Sequence, residues 1–253
     1  MRVAVQIAPE RSDYRQIRRA ATEADGLGVD AIFNWDHFFP LGKDRGGKHF
    51  ECWTTLAAWA ESTSQAQLGP LVSCVGYRNA DLLADMARTV DHISDGRLIL
   101  GVGAGFRAWE AEEYGYEFGS PAQRVRDLGA ALRRIERRLA SLNPPPTRKI
   151  PILVAADGPT ALRLVARHAN IWHSFADGDA LVEKSRQLEG YCHELGRSPA
   201  EIEHSSFVRG DPWSVGPELR KHGVDMFTVI TRGPDHDLTE LRRWLAWRDE
   251  QNS

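Results

Sequence analysis

Short apolar runs alternate with longer amphipathic segments along the whole chain. Eight runs have the length and apolar character of buried strands, and each is followed by a segment with helical periodicity or by a helix-like stretch. The strand-like runs are VAVQIA, DAIFNWDHF, LGPLVSCVG, RLILGVGAG, IPILVAADG, ANIWHSF, IEHSSFVRG and VDMFTVITRG. Strands that alternate with helices predict a parallel sheet, and eight such repeats predict an α/β fold of the (β/α)8 TIM-barrel type.

The helical segments carry start signals and apolar stripes. Ser120 is a suitable cap for the fourth helix, and Pro121 follows it in the first turn. The third helix is predicted from about Asn79 to Asp95. Its predicted buried stripe consists of Leu82, Met86, Val90 and Ile93. The stripes indicate that the helices pack one face against the sheet.

Composition fits one globular domain. The chain has 253 residues, 42% of them hydrophobic, and a single barrel of this type needs about 250 residues. No linker rich in Pro, Gly or Ser divides it, so we expect one domain spanning 1–253. A formal net charge of −3 argues against binding to nucleic acid or to an anionic membrane, and no apolar run reaches the roughly 18 residues of a membrane span. Cys52, Cys74 and Cys192 are far apart, which predicts no disulfide framework, no metal site and a reduced, cytoplasmic setting.

Three glycines end the fourth strand-like run in the order G-x-G-x-G. They are Gly101, Gly103 and Gly105, and Phe106 follows them. A dinucleotide-binding fingerprint needs G-x-G-x-x-G opening directly into a helix, so this reading fails. Two interpretations stay open. The glycines permit close packing or a bulge in the barrel, or they let a flat ring approach the backbone at the end where such barrels hold their active sites.

Several ordered motifs resemble those of a known family. GVDAIFNWDHF, the stretch LGPLVSCVGYRNADLLADMARTVDHISDGRLILGVGAGF, EEYGYEFGSPAQR and PILVAADGPTALRLVARHANIWH look like segments of the bacterial luciferase-like oxidoreductases. The similarity runs from about residue 25 to 175. It is greatest to the branch that uses coenzyme F420, a deazaflavin, rather than FMN. The resemblance implies a TIM barrel of the luciferase-like type with F420 as cofactor.

The resemblance also implies roles for residues near strands two to four. Asp36 and His37 match an Asp-His pair beside the deazaflavin ring and the substrate. Leu71 and Val72 fall where the family has a strand bulge with a non-prolyl cis peptide, and Ser73 is expected to follow on the same face as Cys74. Gly103 and Gly105 fall where strand four meets the cofactor. These positions are therefore the expected binding site of the ring.

Further implied positions lie after strands four and five. Arg107 is expected to contact the cofactor, and Glu110 matches an acidic position after strand four. Asp157, Gly158 and Thr160 correspond to the loop after strand five, where backbone amides and a helix N-terminus hold the cofactor phosphate. The sequence AADG is less rich in glycine than the family pattern. Asp157 is therefore expected to weaken phosphate binding unless it caps the helix instead.

Each catalytic candidate has an ordinary structural alternative. His37 is the candidate for transferring the proton that accompanies a hydride, and its alternative is a hydrogen bond to a neighbouring loop. Asp36 either bonds a polar edge of the cofactor or serves as a cap or salt-bridge partner. Glu110 is the second catalytic candidate, with an exposed surface carboxylate as the alternative. The glycine-rich segment 43–49 offers cations that suit the anionic tail of F420, and a solvated loop is equally open.

The chain departs from the family pattern in two further places. Phe106 stands where the family usually has tryptophan. Only SLNPPPTRK connects the fourth helix to strand five, where family members carry a longer segment, so we expect a pocket with a reduced roof. The overall prediction is an F420-dependent oxidoreductase that acts on a small molecule, with a homodimer as a possible assembly. The alternatives are an FMN-dependent monooxygenase of the same family and a ligand-binding barrel without catalysis.

Overall fold

The computed structural model describes residues 1–42 and 45–253. Within these residues there are nine strands and nine α-helices. The strands are β1 (Arg2–Ile7), β2 (Ala31–Asn34), β3 (Gln67–Pro70), β4 (Ser73–Cys74), β5 (Leu100–Gly103), β6 (Ile152–Ala155), β7 (Ile171–Ser174), β8 (Glu203–Phe207) and β9 (Met226–Thr231). The helices are α1 (Tyr14–Gly26), α2 (Cys52–Ser62), α3 (Ala80–Ile93), α4 (Ala108–Glu113), α5 (Pro121–Leu139), α6 (Pro159–His168), α7 (Gly178–Glu194), α8 (Pro212–Lys221) and α9 (Thr239–Asn252).

All paired strands run parallel, in the order β3-β2-β1-β9-β8-β7-β6-β5-β4. β3 and β4 are two pieces of one barrel strand, interrupted at Leu71 and Val72. The first piece pairs with β2 and the second with β5, and a parallel bridge between Leu68 and Leu98 joins the two ends of the sheet. Eight strand positions therefore form the barrel, which confirms the predicted fold class.

Alternate residues of each strand pack into two separate cores. In β1, Val3, Val5 and Ile7 pack against the surrounding helices, whereas Ala4 belongs to a smaller cluster inside the barrel. The interior cluster contains Ala4, Ala31, Phe33, Leu71, Ile99, Leu153, Ile171 and Met226. This two-residue periodicity is that of strands with both faces covered, so interior positions near the strand ends are free to line a site.

The helix starts were predicted well, but one buried face was not. Ser120 caps α5 by accepting a hydrogen bond from the Gln123 backbone N–H at 3.3 Å. In α3, Leu83 and Ala87 are buried, whereas Leu82 is 54% exposed. The predicted stripe that began at Leu82 is therefore wrong by one residue at its start. Leu83, Ala84 and Ala87, rather than Leu82, form that part of the contact.

The connector between α5 and β6 lies at the end of the barrel opposite to the strands' carboxyl ends. The backbone N–H of Thr147 donates to Asp91 Oδ2 at 2.8 Å, and Pro145 O lies 2.8 Å from Nε2 of His92. Asp91 and His92 lie in the last turn of α3, which leads into the amino-terminal end of β5. The expectation that this short connector opens the roof of the pocket is therefore wrong, because the connector is not near a site at the carboxyl ends.

The segment between β5 and α5 lies at the carboxyl ends and contains the short helix α4, which periodicity did not predict. None of the helices in the part of the chain that the structure describes is long and apolar enough to cross a membrane.

Candidate active site

A cavity of about 470 Å³ opens at the carboxyl ends of the strands. One wall comes from the ends of β2 and the interrupted third barrel strand, and the other walls come from β5 to β9. Its lining includes Trp35, Asp36, His37, Leu71, Val72, Cys74, Gly103, Gly105, Phe106, Asp157, Phe175, Phe207, Arg209 and Arg232. The cavity lies at the end where TIM barrels place their active sites, and its walls are mainly apolar with a few polar groups.

His37 and Glu110 form the central polar contact of the cavity wall. Nδ1 of His37 lies 2.7 Å from Oε2 of Glu110. The other carboxylate oxygen accepts a hydrogen bond from Arg107 at 2.9 Å, and the Tyr77 hydroxyl donates to Oε2 at 3.4 Å. Because Nδ1 of His37 is occupied, Nε2 is the ring nitrogen left to face a ligand in the cavity. The helix α4 supplies Glu110 and thereby orients the imidazole.

Glu110 is fully buried, so the alternative of an exposed surface carboxylate is wrong. Burial opposes its ionisation, but hydrogen bonds and charge from His37 and Arg107 outweigh burial and hold its pKa below the ordinary value. Glu110 is therefore an ionised carboxylate that can accept a hydrogen bond from Nδ1–H of His37. Arg107, expected at the cofactor, instead pairs with Glu110 and is not among the residues that line the cavity.

Asp36 lines the cavity and also forms a buried ion pair. Nη1 of Arg78 pairs with Oδ2 of Asp36, and Nη2 lies 3.0 Å from Oδ1. Nη2 also lies 3.0 Å from a carboxylate oxygen of Glu51. Burial raises the pKa of Asp36, and the guanidinium opposes that rise. The salt-bridge alternative for Asp36 is confirmed. Sequence reasoning missed Arg78, and its position directly after the third barrel strand was the available signal.

The interruption of the third barrel strand forms part of the cavity floor. The peptide bond between Leu71 and Val72 is cis, as the family resemblance implied, and both side chains line the cavity. Nε2 of Gln6 donates to the Leu71 carbonyl at 2.7 Å and fixes this segment to β1. Cys74 also lines the cavity, and burial raises the pKa of its thiol to about 11, so the thiol is neutral.

Ser73 does not share the face of Cys74. It is fully buried, and its hydroxyl accepts a hydrogen bond from Nε1 of Trp53 at 2.8 Å. It is absent from the residues that line the cavity. Consecutive strand residues point to opposite faces, so the expectation of a common face for Ser73 and Cys74 is wrong.

The three glycines of the G-x-G-x-G motif, in β5 and directly after it, serve two purposes. A Cβ on Gly101 would overlap the backbone carbonyl oxygen of Pro70, so this glycine is needed for packing inside the barrel. Gly103 and Gly105 line the cavity. A Cβ there would lie 2.7 Å from Val72 Cγ2 and 2.5 Å from Cys74 Sγ, respectively. The packing interpretation therefore applies to Gly101. Gly103 and Gly105 in addition leave the cavity wall without side chains at their positions.

The loop after β6 divides between the cavity and the surface. Asp157 lines the cavity, and its carboxylate accepts hydrogen bonds from the Ser174 hydroxyl at 2.6 Å and the Phe175 backbone N–H at 3.1 Å. It thus faces β7 and does not cap α6. Gly158 is the N-terminal cap residue of α6 and, with Thr160, is exposed outside the cavity lining. The phosphate site implied for this loop stays a prediction.

The chain belongs to the luciferase-like monooxygenase family, whose model matches residues 1–209. A curated relative, the F420-dependent glucose-6-phosphate dehydrogenase of Intrasporangium calvum, is 30% identical over 234 residues, which cover 83% of this chain and 66% of the relative. The phthiodiolone/phenolphthiodiolone dimycocerosates ketoreductase of Mycobacterium tuberculosis is 33% identical over 185 residues, covering 64% of this chain and 47% of the relative.

This chain thus spans about half to two thirds of the length of these curated relatives. Among solved structures, an F420-dependent secondary alcohol dehydrogenase in complex with an F420-acetone adduct superposes with a TM-score of 0.82 at 15% identity. That likeness covers 98% of this chain and 97% of the other and shows that the two share a fold.

Proposed function

We propose that the protein is an F420-dependent oxidoreductase that moves a hydride between the deazaflavin and a small organic molecule bound in the cavity. The observation that carries the proposal is the 2.7 Å contact between His37 and the buried Glu110 at the wall of the cavity. The curated relatives named above, a dehydrogenase and a ketoreductase, support the reaction class. They differ in substrate, so they support no particular one.

The residues of the cavity fit a flat, partly anionic cofactor. Gly103 and Gly105 leave the wall beside Leu71 and Val72 without side chains, and a ring placed there would meet backbone and apolar atoms. A volume of about 470 Å³ lies in the range of small-molecule sites. Gly158, the N-terminal cap of α6, directly follows Asp157 of the cavity lining, so the backbone amides that begin α6 would be the groups to hold the cofactor phosphate.

The carboxylate of Asp157 accepts hydrogen bonds from Ser174 in β7 and from Phe175, the residue after β7. These hydrogen bonds reduce the repulsion between this carboxylate and an anion at α6. The Nζ of Lys184 donates to the Asp157 carbonyl at 2.8 Å and brings a positive charge to the same loop. A cofactor phosphate near Gly158 and Thr160 is therefore part of the proposal, with Lys184 as a cation that sequence reasoning did not consider.

When bound, F420 supplies the ring that gives or accepts the hydride. The protein's own contribution is the proton that accompanies it. His37 holds or removes that proton at Nε2, and Glu110 stabilises the imidazolium through Nδ1. Arg107 and Tyr77 hold Glu110 in place. Asp36, paired with Arg78, fixes the backbone next to His37 and presents a polar edge to the cavity.

A turnover screen tests the proposal. Under anaerobic conditions the protein is mixed with oxidised F420 and a panel of alcohols and sugar phosphates, or with reduced F420 and matching ketones, while the absorbance of the deazaflavin is followed. We expect turnover with at least one compound and a loss of about 10²- to 10⁴-fold in His37→Ala. His193→Ala, an exposed histidine on α7, is the matched control and should keep full activity.

Other outcomes would assign other functions. Turnover and oxygen uptake with reduced FMN alone would replace the proposal by a monooxygenase. An absence of turnover with both cofactors, together with an absence of cofactor binding, would favour a barrel that binds a ligand without catalysis. A homodimer and a cytoplasmic location stay predictions.

A further inference from the structure

Two arginines line the cavity without an ion-pair partner. Arg209 follows the end of β8, and Arg232 follows the end of β9. Within the residues that the structure describes, neither guanidinium has a carboxylate within ion-pair distance or a side-chain hydrogen bond. Both are exposed at the rim. Two free guanidinium groups on neighbouring strands make one electropositive edge of the cavity.

The other charged groups of the cavity wall already have hydrogen-bond partners. Asp36 is paired with Arg78, and His37 is bonded to Glu110. The carboxylate of Asp157 keeps its negative charge, but it accepts hydrogen bonds from the Ser174 hydroxyl and the Phe175 backbone N–H and forms no ion pair with either arginine of the rim. The two guanidinium groups are therefore open to pair with an anion from solution.

The strand order places this edge within reach of a ligand that contacts His37. β9 pairs with β1, and β1 pairs with β2, so one strand separates the end that carries Arg232 from the end that leads to His37. The proposed phosphate loop follows β6, so β7 alone separates it from β8, which leads to Arg209, and β7 and β8 separate it from β9, which leads to Arg232. By strand order, Arg232 is thus the arginine farther from the anion proposed at α6 and nearer to His37.

We propose that Arg209 and Arg232 bind an anionic group, a carboxylate or a phosphate, on the substrate, while the carbon that exchanges the hydride faces His37. A guanidinium binds either group through two parallel hydrogen bonds, which suits orientation as well as affinity. The substrate class is therefore an alcohol, or the corresponding carbonyl compound, that carries a negative charge. The inference rests on the proposed function and deepens it. Phe175 and Phe207 supply the apolar wall beside Arg209.

A binding experiment separates the substrate's anion from the cofactor's. The dissociation constant of inorganic phosphate is measured by ³¹P NMR titration of the protein, with and without oxidised F420, for wild type and for the variant Arg209→Gln/Arg232→Gln. We expect phosphate binding to weaken by about tenfold or more in the double variant, with the affinity for F420 unchanged. Arg18→Gln, an exposed arginine on the outer helix α1, is the matched control and should leave both affinities unchanged.

A kinetic experiment extends the test to a matched pair of substrates. With reduced F420, 4-oxopentanoate and 2-pentanone differ in the carboxylate but share the methyl ketone. We expect the charged compound to have the higher kcat/KM, and the advantage to fall by about tenfold in Arg209→Gln through KM, with partial recovery in Arg209→Lys.

Three results would overturn the inference: phosphate that does not bind wild type, equal phosphate binding by the double variant, or a loss of F420 affinity that matches the loss of phosphate affinity. The last result would assign the arginines to the cofactor's tail. If the wild type binds phosphate but no F420, and the double variant binds phosphate more weakly, the proposed function fails and the anion site stands.

Discussion

Nδ1 of His37 lies 2.7 Å from Oε2 of Glu110, although 73 positions separate the two residues in the sequence. The contact joins the end of β2 to the helix after β5 and places an anchored imidazole at the cavity wall. Such a pair has the arrangement of a proton-transfer group and its positioning residue, because the carboxylate fixes the orientation of the ring.

Glu110→Gln tests this positioning role. The amide keeps the volume of the side chain but loses the charge that stabilises the imidazolium. We expect kcat to fall by about 10- to 100-fold, because hydrogen bonds to charged groups contribute about 1.5–3 kcal/mol. F420 affinity should change little. The measurement is kcat, together with the dissociation constant of F420, in wild type and variant.

Glu113→Gln, an exposed glutamate on the same helix, is the matched control for this change. It should leave kcat unaltered. A Glu110→Gln variant with full kcat would show that Glu110 only fills space.

The buried ion pair between Asp36 and Arg78 predicts a coupled effect on stability. Arg78→Met leaves the Asp36 carboxylate buried without its partner, and this should lower the free energy of unfolding by about 3–5 kcal/mol. Adding Asp36→Asn removes the unpaired charge and should restore part of the loss. Urea unfolding of the two single variants and the double variant measures the coupling. Arg134→Met, which breaks the exposed pair with Asp81, should change stability little.

If the losses of the two single variants simply add in the double variant, the pair is not coupled and the interpretation of Arg78 is wrong.

The glycines of β5 predict two distinguishable defects. Gly101→Ala places a Cβ on the Pro70 carbonyl oxygen and should prevent folding or lower stability strongly, because backbone atoms cannot move aside. Gly103→Ala meets only the side chain of Val72, so its effect on unfolding should stay within about 1–3 kcal/mol. We expect it instead to weaken F420 binding, since Val72 lines the cavity. Thermal unfolding and F420 titration of both variants measure the difference.

Equal F420 affinity in wild type and a folded Gly103→Ala variant would argue that these glycines are needed for packing alone.

His173 predicts a loss of stability at acidic pH. It is fully buried inside the barrel, and burial lowers its pKa from 6.5 to about 3. Between pH 6.5 and about 3 this histidine is protonated in the unfolded state but neutral in the native state. The unfolded state therefore binds more protons, and the free energy of unfolding decreases as pH falls towards 3. Each such histidine contributes a slope of about 1.4 kcal/mol per pH unit inside that window. His49, whose pKa burial lowers to about 4, adds to the effect.

His173→Asn removes one titrating group and can keep a hydrogen bond to Ser205, whose hydroxyl lies 2.9 Å from Nδ1 of His173. Urea unfolding at several pH values below 6.5 should show a shallower loss of stability in the variant. Parallel curves for wild type and variant would contradict the assignment of a neutral buried imidazole.

The sequence was sufficient for the order of the barrel strands and of the helices other than α4, because each repeat carries its own periodicity and cap signals, such as Ser120. The Asp36-His37 pair at the end of β2 was also found, through its place among ordered motifs. The burial of Glu110 was not predictable, because AWEAEE has no apolar stripe and the partners that compensate the charge come from other elements. Arg78 was missed for the same reason, since its partner Asp36 is distant in the chain.

The absence of a carboxylate partner at Arg209 and Arg232, within the residues that the structure describes, was also not predictable from the sequence. A local pattern does not distinguish an arginine that meets a carboxylate from one that meets none, because the distinction depends on which strand ends lie together. The connector before β6 was misplaced because its length was compared with the family pattern, whereas the direction of the strands places it at the opposite end of the barrel from the pocket.

The central claim is that this cavity binds coenzyme F420, and a fluorescence titration of oxidised F420 with purified protein tests it most directly. The account predicts a saturable change with one site per chain in the micromolar range, weakened in Gly103→Ala and unchanged in Arg18→Gln. An absence of any fluorescence change up to high micromolar protein would contradict it.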